Sequence, residues 1–227
     1  MFYFRINKVK IISNREKGFL FFNKDRAEVK LFSFVTTDNT DLSELASLDY
    51  SSSEDERRFI INETVKRCVS TRTFVEIPHV KDNQTLLFGD SGYVLYQSAA
   101  IPNDFNWVFL VIESDKGARD FGMFLDETVK SDNFDRFGKN ILSQLTGQLP
   151  VNLVKQAGDM FVTYLADVLK ERLKKSKDDV IGIVYASWNR KEHYPDGQRK
   201  KDNMHDLTKN MIVDYSIYVN EEDPGDL

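Results

Sequence analysis

Hydrophobic and polar residues alternate along much of the chain, which predicts β-strands rather than helices. In the first segment, residues 2–13, the apolar positions change face between Ile6 and Val9, and such a slip indicates a β-bulge. The other alternating segments are residues 28–36, 73–77, 85–88, 93–96 and 211–219. The last of them has polar residues at most alternate positions, so we expect a final strand with one face in water.

Two further segments are apolar at consecutive positions. Residues 106–112 and 180–188 therefore predict buried strands, the first of them in the centre of a sheet. Between them, apolar residues recur at helical spacing, most clearly in the segment that follows Pro150, which can occupy the first turn of a helix. Helices gathered in one stretch, with strands before and after it, favour an antiparallel β-sandwich over βαβ units.

The fold class that follows is mainly β (α+β). We expect an antiparallel β-sandwich of about eight strands with a large helical insertion between the last strands. The chain is interpreted as a single domain, 1–227. Residues 1–115 and 178–219 form the sandwich, residues 116–177 form the insertion, and residues 220–227 form a loose acidic tail.

Composition narrows the function classes. The net charge of −5 gives no general attraction to nucleic acid, so no nucleic-acid partner is expected. One cysteine, Cys68, excludes an intramolecular disulfide framework. No segment reads as a cleaved signal peptide or as a membrane span, which predicts a cytoplasmic protein or one exported without a cleaved signal peptide. The oligomeric state is left open.

Acidic residues close two of the predicted strands. Glu113 and Asp115 follow the first buried strand, and Asp178 and Asp179 open the second. If these strand ends meet at one edge of a sheet, their carboxylates supply the oxygen ligands that calcium prefers. The alternative is that they are strand-end and cap carboxylates without an ion, paired with the lysines that precede Asp178.

The strand-edge pattern resembles the calcium- and phospholipid-binding C-two domain, named for the second conserved region of protein kinase C. In that family a strand ends in an acidic-x-acidic motif, and a segment such as Asp-Asp-Phe-Ile-Gly opens the next strand. Here Glu113–Asp115 and Asp178–Gly182 match those pieces, although Glu113 stands where Asp is usual. The resemblance implies a C-two-like topology, calcium as the cofactor, and further ligands from the first loop, of which Asp25 is the main candidate beside Glu16 and Glu28.

A basic segment lies before the final strand. Arg190, Lys191, Arg199, Lys200 and Lys201 surround a strong turn signal, Tyr194–Gly197. It is interpreted either as a solvated hairpin loop or as a loop that binds a partner or anionic phospholipid. A transition-metal site built from His193 and His205 with Asp196 or Asp206 is a further alternative.

No catalytic motif of a known class is present in the sequence. The leading hypothesis is therefore a non-enzymatic binding module that engages a protein partner or an anionic membrane surface, with calcium at its acidic edge. The alternative is an assembly subunit or effector that acts on partners or membranes through residues 137–175 of the helical insertion. A glycosidase stays open, because the separation of two carboxylates cannot be read from sequence.

Overall fold

A computed structural model describes residues 1–14, 26–38, 53, 55–56, 59–60, 74–113 and 180–221. The strands are β1 (Phe2–Ile11), β2 (Ala27–Thr37), β3 (Phe74–Val80), β4 (Thr85–Leu87), β5 (Tyr93–Ser98), β6 (Asp104–Glu113), β7 (Val180–Asn189), β8 (Gly197–His205) and β9 (Met211–Val219). A short helical turn, Arg190–His193, follows β7. The predicted helical insertion, residues 116–177, lies outside the described residues.

The described strands form two antiparallel sheets, which confirms the prediction of a mainly β protein. In sheet I the order is β4-β1-β9-β8. On the same side of β1 as β4, β5 pairs with the first half of β1 and the short β4 with the second half. In sheet II the order is β3-β2-β6-β7. The last two strands, β8 and β9, follow β7 in the chain and form an antiparallel hairpin in sheet I.

An aromatic layer joins the two sheets. Phe4 of β1 lies 4.8 Å from Trp107 of β6 between ring centroids, in an edge-on arrangement. Trp188 of β7 lies 5.0 Å from Tyr215 of β9. Such pairs contribute roughly 0.5–1.5 kcal/mol each beyond the burial of their area. Residues from both sheets thus share one core, in which Phe4 and Trp107 are fully buried.

The inner strands of sheet II, β2 and β6, are buried on both faces of the sheet. Alternate residues of β6 point into the shared core, and the residues between them lie on the other face. On that outer face Val108 and Leu110 stand opposite Phe34 and Phe32 of β2, and all four are at most 4% exposed. The prediction that residues 106–112 form a central strand apolar on both faces is confirmed.

The slip in the first segment is also confirmed. The ladder between β1 and β9 shifts register between Ile6 and Lys8, and the ladder between β1 and β5 shifts between Phe4 and Arg5. These irregularities keep Phe4, Ile6 and Val9 on the core side although their spacing in the chain is uneven.

The prediction of a wet face on the last strand is wrong at Asp214 and Ser216, whereas Tyr218 on the same face is 39% exposed. Asp214 and Ser216 of β9 are buried, although they lie on the face of sheet I that turns away from the core. The reason is that β9 lies inside sheet I, between β1 and β8. Lys8 of β1 forms an ion pair of 2.5 Å with Asp214, and the Ser216 hydroxyl donates to Asn7 Oδ1 at 3.2 Å.

The interpretation of residues 189–201 as a hairpin loop is wrong as well. Asn189 caps a helical turn by accepting a hydrogen bond from the Glu192 amide, and β8 then begins at Gly197. Sequence periodicity could not reveal β8, because six consecutive residues of this edge strand, 198–203, are exposed. This strand brings the number in the described residues to nine, where about eight were expected.

Two buried tyrosines make the fold sensitive to high pH. Tyr194 donates its hydroxyl hydrogen to the Pro102 carbonyl at 3.0 Å, and burial raises the pKa of both Tyr194 and Tyr215. In the unfolded chain these phenols ionise near pH 10, whereas in the folded chain they stay neutral to higher pH. The free energy of unfolding should therefore fall above about pH 10, by up to ~1.4 kcal/mol per pH unit for each tyrosine.

Urea unfolding between pH 8 and pH 11 measures this dependence. Tyr194→Phe and Tyr215→Phe should each reduce the alkaline slope, and Tyr194→Phe should also cost about 1 kcal/mol at pH 8 through its lost hydrogen bond. Tyr218→Phe is the control, because its ring is 39% exposed. An unchanged slope in both core variants would contradict the assignment.

Candidate functional site

The two strands next to the acidic segments, β6 and β7, are neighbours in sheet II. Ile112, the residue before the end of β6, is paired with Val180, the first residue of β7. Glu113 is the last residue of β6 and stands opposite Val29 near the start of β2. The end of β6 and the starts of β7 and β2 therefore meet at one edge of sheet II, which we call the acidic end.

Only one of the five predicted calcium ligands can be located. Glu113 is buried at the acidic end, with 7% of its surface exposed. The other four, Asp25, Asp115, Asp178 and Asp179, lie outside the described residues, as does Glu16. Within the described ranges there is no cluster of three or more His, Cys, Asp or Glu side chains that could hold a metal ion.

Two further carboxylates lie close together near the acidic end. Glu28 is the second residue of β2, and Glu76 of β3 stands opposite Lys30. A hydrogen bond with the Glu28 carboxyl raises the pKa of Glu76, and the Lys30 ammonium, 3.7 Å from Glu76 Oε2, acts in the opposite direction. This pair of glutamates on adjacent strands was not predicted as a unit, because the pairing of β2 with β3 joins residues 48 positions apart.

A buried aspartate, Asp206, lies near the start of β7, on the same side of the molecule as the acidic end. Asp206 lies in the turn between β8 and β9, and its Oδ1 accepts hydrogen bonds from the amides of Asn210 at 2.7 Å and Met211 at 2.8 Å. Its Oδ2 accepts from the amide and hydroxyl of Thr208 at 3.0 and 2.5 Å, and from the amide of Ile183 at 3.3 Å. Because Ile183 belongs to β7, this carboxylate ties the hairpin of sheet I to the outer edge strand of sheet II.

The same turn covers more of β7. The Leu207 amide donates to the Ile183 carbonyl at 2.9 Å, and the Asn210 side chain donates to the Ile181 carbonyl at 2.7 Å. Gly182 permits this approach, since a Cβ there would lie 2.8 Å from Met211 Cβ. We call this arrangement of the turn 206–210 against β7 the corner.

The structure does not bring together the two histidines of the transition-metal alternative. His193 follows the end of β7, whereas His205 ends β8, next to the corner. The eight steps of β8 separate the two ends by roughly 26 Å. The oxygens of Asp206 are occupied by the amide and hydroxyl donors of the corner, so its carboxylate is a structural group.

The predicted basic residues fall into two groups. Arg190 and Lys191 lie in the helical turn at the far end of β7, so the length of that strand separates them from the acidic end. Arg190 forms an ion pair with Glu221. Glu113 and these two cations are therefore at opposite ends of sheet II.

The other three cations lie along one strand. Arg199, Lys200 and Lys201 are exposed residues of β8, the outermost strand of sheet I. Arg199 stands opposite Ile217 and Lys201 opposite Tyr215, on the core side, whereas Lys200 stands opposite Ser216, on the outer side. No carboxylate among the described residues forms an ion pair with any of the three.

The outer face of sheet I carries more cations than the sequence analysis identified. Lys200 shares this face with Lys8, which pairs with Asp214, and with Arg5, whose guanidinium lies 5.3 Å from the centre of the Tyr3 ring. Tyr3 is in turn 6.2 Å from the ring of Tyr218. The polar positions between the apolar ones of residues 2–10 were a usable signal, but only the pairing of β1 with β9 and of β9 with β8 places them on one surface.

No family model, no curated protein and no solved structure matches this chain. Within the described part of the chain, no helix has the length and apolar character needed to cross a membrane.

Removing the Asp206 carboxylate should destabilise the protein strongly, because it leaves several buried donors without an acceptor. We expect Asp206→Ala to lower the free energy of unfolding by about 3 kcal/mol, and Gly182→Ala by roughly 1–3 kcal/mol through overpacking against Met211. Urea unfolding followed by tryptophan fluorescence measures both. Asp202→Ala, on the exposed part of β8, is the control and should stay within about 0.5 kcal/mol of the parent. A change of similar size in all three variants would argue against a special role for the corner.

Proposed function

We propose that this chain is a non-enzymatic binding module that engages an anionic protein partner through β8. The observation that carries the proposal is the row of three exposed cations, Arg199, Lys200 and Lys201, on the outermost strand of sheet I. Long-range attraction by such a row raises the association rate with acidic partners and disfavours basic ones. The overall charge of −5 does not oppose this, since the field near a surface follows its local charges.

The direction of the side chains favours a protein partner over a lipid surface. Arg199 and Lys201 project to one side of sheet I and Lys200 to the other. A flat membrane could contact only one of these two sides at a time. A protein segment that lies beside β8 can contact all three cations.

Three described carboxylates outside the acidic end, those of Asp206, Asp38 and Asp214, have structural roles, which supports a binding role rather than catalysis. Asp206 accepts five hydrogen bonds within the corner. Asp38 accepts from the amides of Asn103 and Asp104, and Asp214 is paired with Lys8. Each of these groups has a structural partner that explains its presence.

Calcium at the acidic end remains part of the proposal. It is supported by the meeting of the β6 and β7 ends, by Glu113 at that edge, and by the resemblance to the C-two domain. A bound calcium ion would draw the acidic segments together and neutralise them, which would favour the approach of an acidic partner.

Charge reversal on β8 tests the main proposal. The probe is a fluorescein-labelled peptide with three consecutive glutamates in a valine- and threonine-rich frame, and its binding is followed by fluorescence anisotropy at low and physiological salt. Arg199→Glu with Lys201→Glu should weaken binding at least tenfold, and added salt should weaken binding to the parent. The control is Lys81→Glu with Lys191→Glu, which changes the net charge equally at two exposed positions outside β8 and the corner.

Vesicles containing phosphatidylserine are measured in parallel. Binding to vesicles without binding to the peptide would replace the protein partner with a membrane. If neither probe binds, or if the control weakens peptide binding as much as the β8 variant, the proposal fails.

Calorimetric titration of the full chain with CaCl2 tests the ion. We expect heat of binding and a raised unfolding temperature, both reduced by Asp115→Asn with Asp178→Asn and retained in Asp90→Asn, an exposed turn residue. A titration of the parent without heat or thermal shift would remove calcium from the proposal.

A further inference from the structure

We infer that β8 binds its partner by strand addition, and that the partner contributes an extended segment with consecutive acidic residues. This inference rests on the proposed function and specifies its geometry. In strand addition, main-chain hydrogen bonds at an open sheet edge provide affinity and the flanking side chains provide selectivity.

The pairing of β8 leaves one side of it open. Within the described residues β8 pairs only with β9 and is the last strand of sheet I. Its register with β9 is continuous from Gly197 to Lys201 and shifts between Lys201 and Met204, where Asn203 has a φ of 57°. The regular stretch that a further strand could follow is therefore residues 197–201, which contains all three cations.

The other sheet edges have features that hinder pairing with a further strand, and β8 lacks these features. The outer side of β7 is covered by the corner, through hydrogen bonds to Ile183 and Ile181. Pro78, which has no amide hydrogen, and His79, at a φ of 61°, interrupt β3 near its end. The remaining edge of sheet I is divided between the three-residue β4 and β5, with a register shift in the latter.

In residues 197–201 of β8, the positive charges are what hinders pairing with other strands. Lysines on an edge strand prevent association with most other strands, and this is their common structural role. A second copy of β8 would place cations opposite cations, which is unfavourable in a strand pair. The same cations favour a strand of the opposite charge, so the edge is closed to most segments and open to an acidic one.

The alternation of the cations defines the partner's sequence. Arg199 and Lys201 lie on one side of the sheet and Lys200 on the other, so the complementary strand needs acidic residues on both of its sides. A segment with acidic residues only at alternate positions would match one side. A run of about three consecutive Asp or Glu residues within a segment of about five matches both.

Backbone methylation of the glutamate peptide separates strand addition from simple charge attraction. Two versions of the peptide carry N-methyl groups on alternate residues, one version on the odd positions and the other on the even positions. The two versions have the same charge, but their N-methyl groups block the amide hydrogens of opposite edges of the peptide strand. Strand addition requires one version to bind at least tenfold more weakly than the other, because only one peptide edge faces β8. Amides of residues 197–201 that point outward should also become protected from hydrogen exchange when the unmodified peptide binds.

The outcomes are distinguishable from those of the proposed function. If the unmodified peptide binds and both methylated versions bind equally well, strand addition is wrong while the anionic partner stands. If the unmodified peptide does not bind, the proposed function itself fails. Equal affinity for a peptide with glutamates only at alternate positions would overturn the requirement for a consecutive run.

Discussion

The buried carboxylate of Asp206 is the interaction on which the arrangement of the two sheets most visibly depends. A buried ionised group is costly unless hydrogen bonds replace its hydration, and here five donors from a short turn and from β7 do so. These bonds fix the hairpin of β8 and β9 and attach it to the edge of sheet II. They also satisfy main-chain groups of β7 that would otherwise present an open edge.

The corner and the aromatic layer have complementary roles. The rings of Phe4, Trp107, Trp188 and Tyr215 bury area between the sheets, which is the main source of stability but does not define one unique register. Directed hydrogen bonds define it, because each donor of the corner must meet its acceptor within a narrow range of distance and angle. Gly182 is part of the same device, since only a residue without a side chain lets the turn approach β7 so closely.

The position of β8 follows from this arrangement and determines where charge is displayed. The hairpin turn is held against sheet II, β9 pairs with β1 on one side and with β8 on the other, and β8 therefore lies at the rim of sheet I. The cations of β8 run along the side of the molecule, the acidic end lies where β6 stops, and Arg190 is paired with Glu221 at the far end of β7. The row of cations on β8 thus lies apart from the acidic end, and the proposed binding of an acidic partner by a protein of negative net charge depends on this separation.

The sequence by itself determined those strands in which the apolar side chains face a core and the polar ones face away from it, or in which both faces are apolar. The apolar positions of β1, with their slip near Ile6, and the continuous apolar run of β6 could be read directly, because each strand that contacts a core carries that contact in its own pattern. Only the tertiary structure decided the role of residues that contact no core, or that are buried by a neighbour from elsewhere in the chain. Arg199, Lys200 and Lys201 form a strand because β9 offers them an edge. Asp214 is buried because Lys8 lies across from it, and Asp206 is structural because Ile183 lies within hydrogen-bond distance. None of these partners is close in sequence, so no local periodicity could record them.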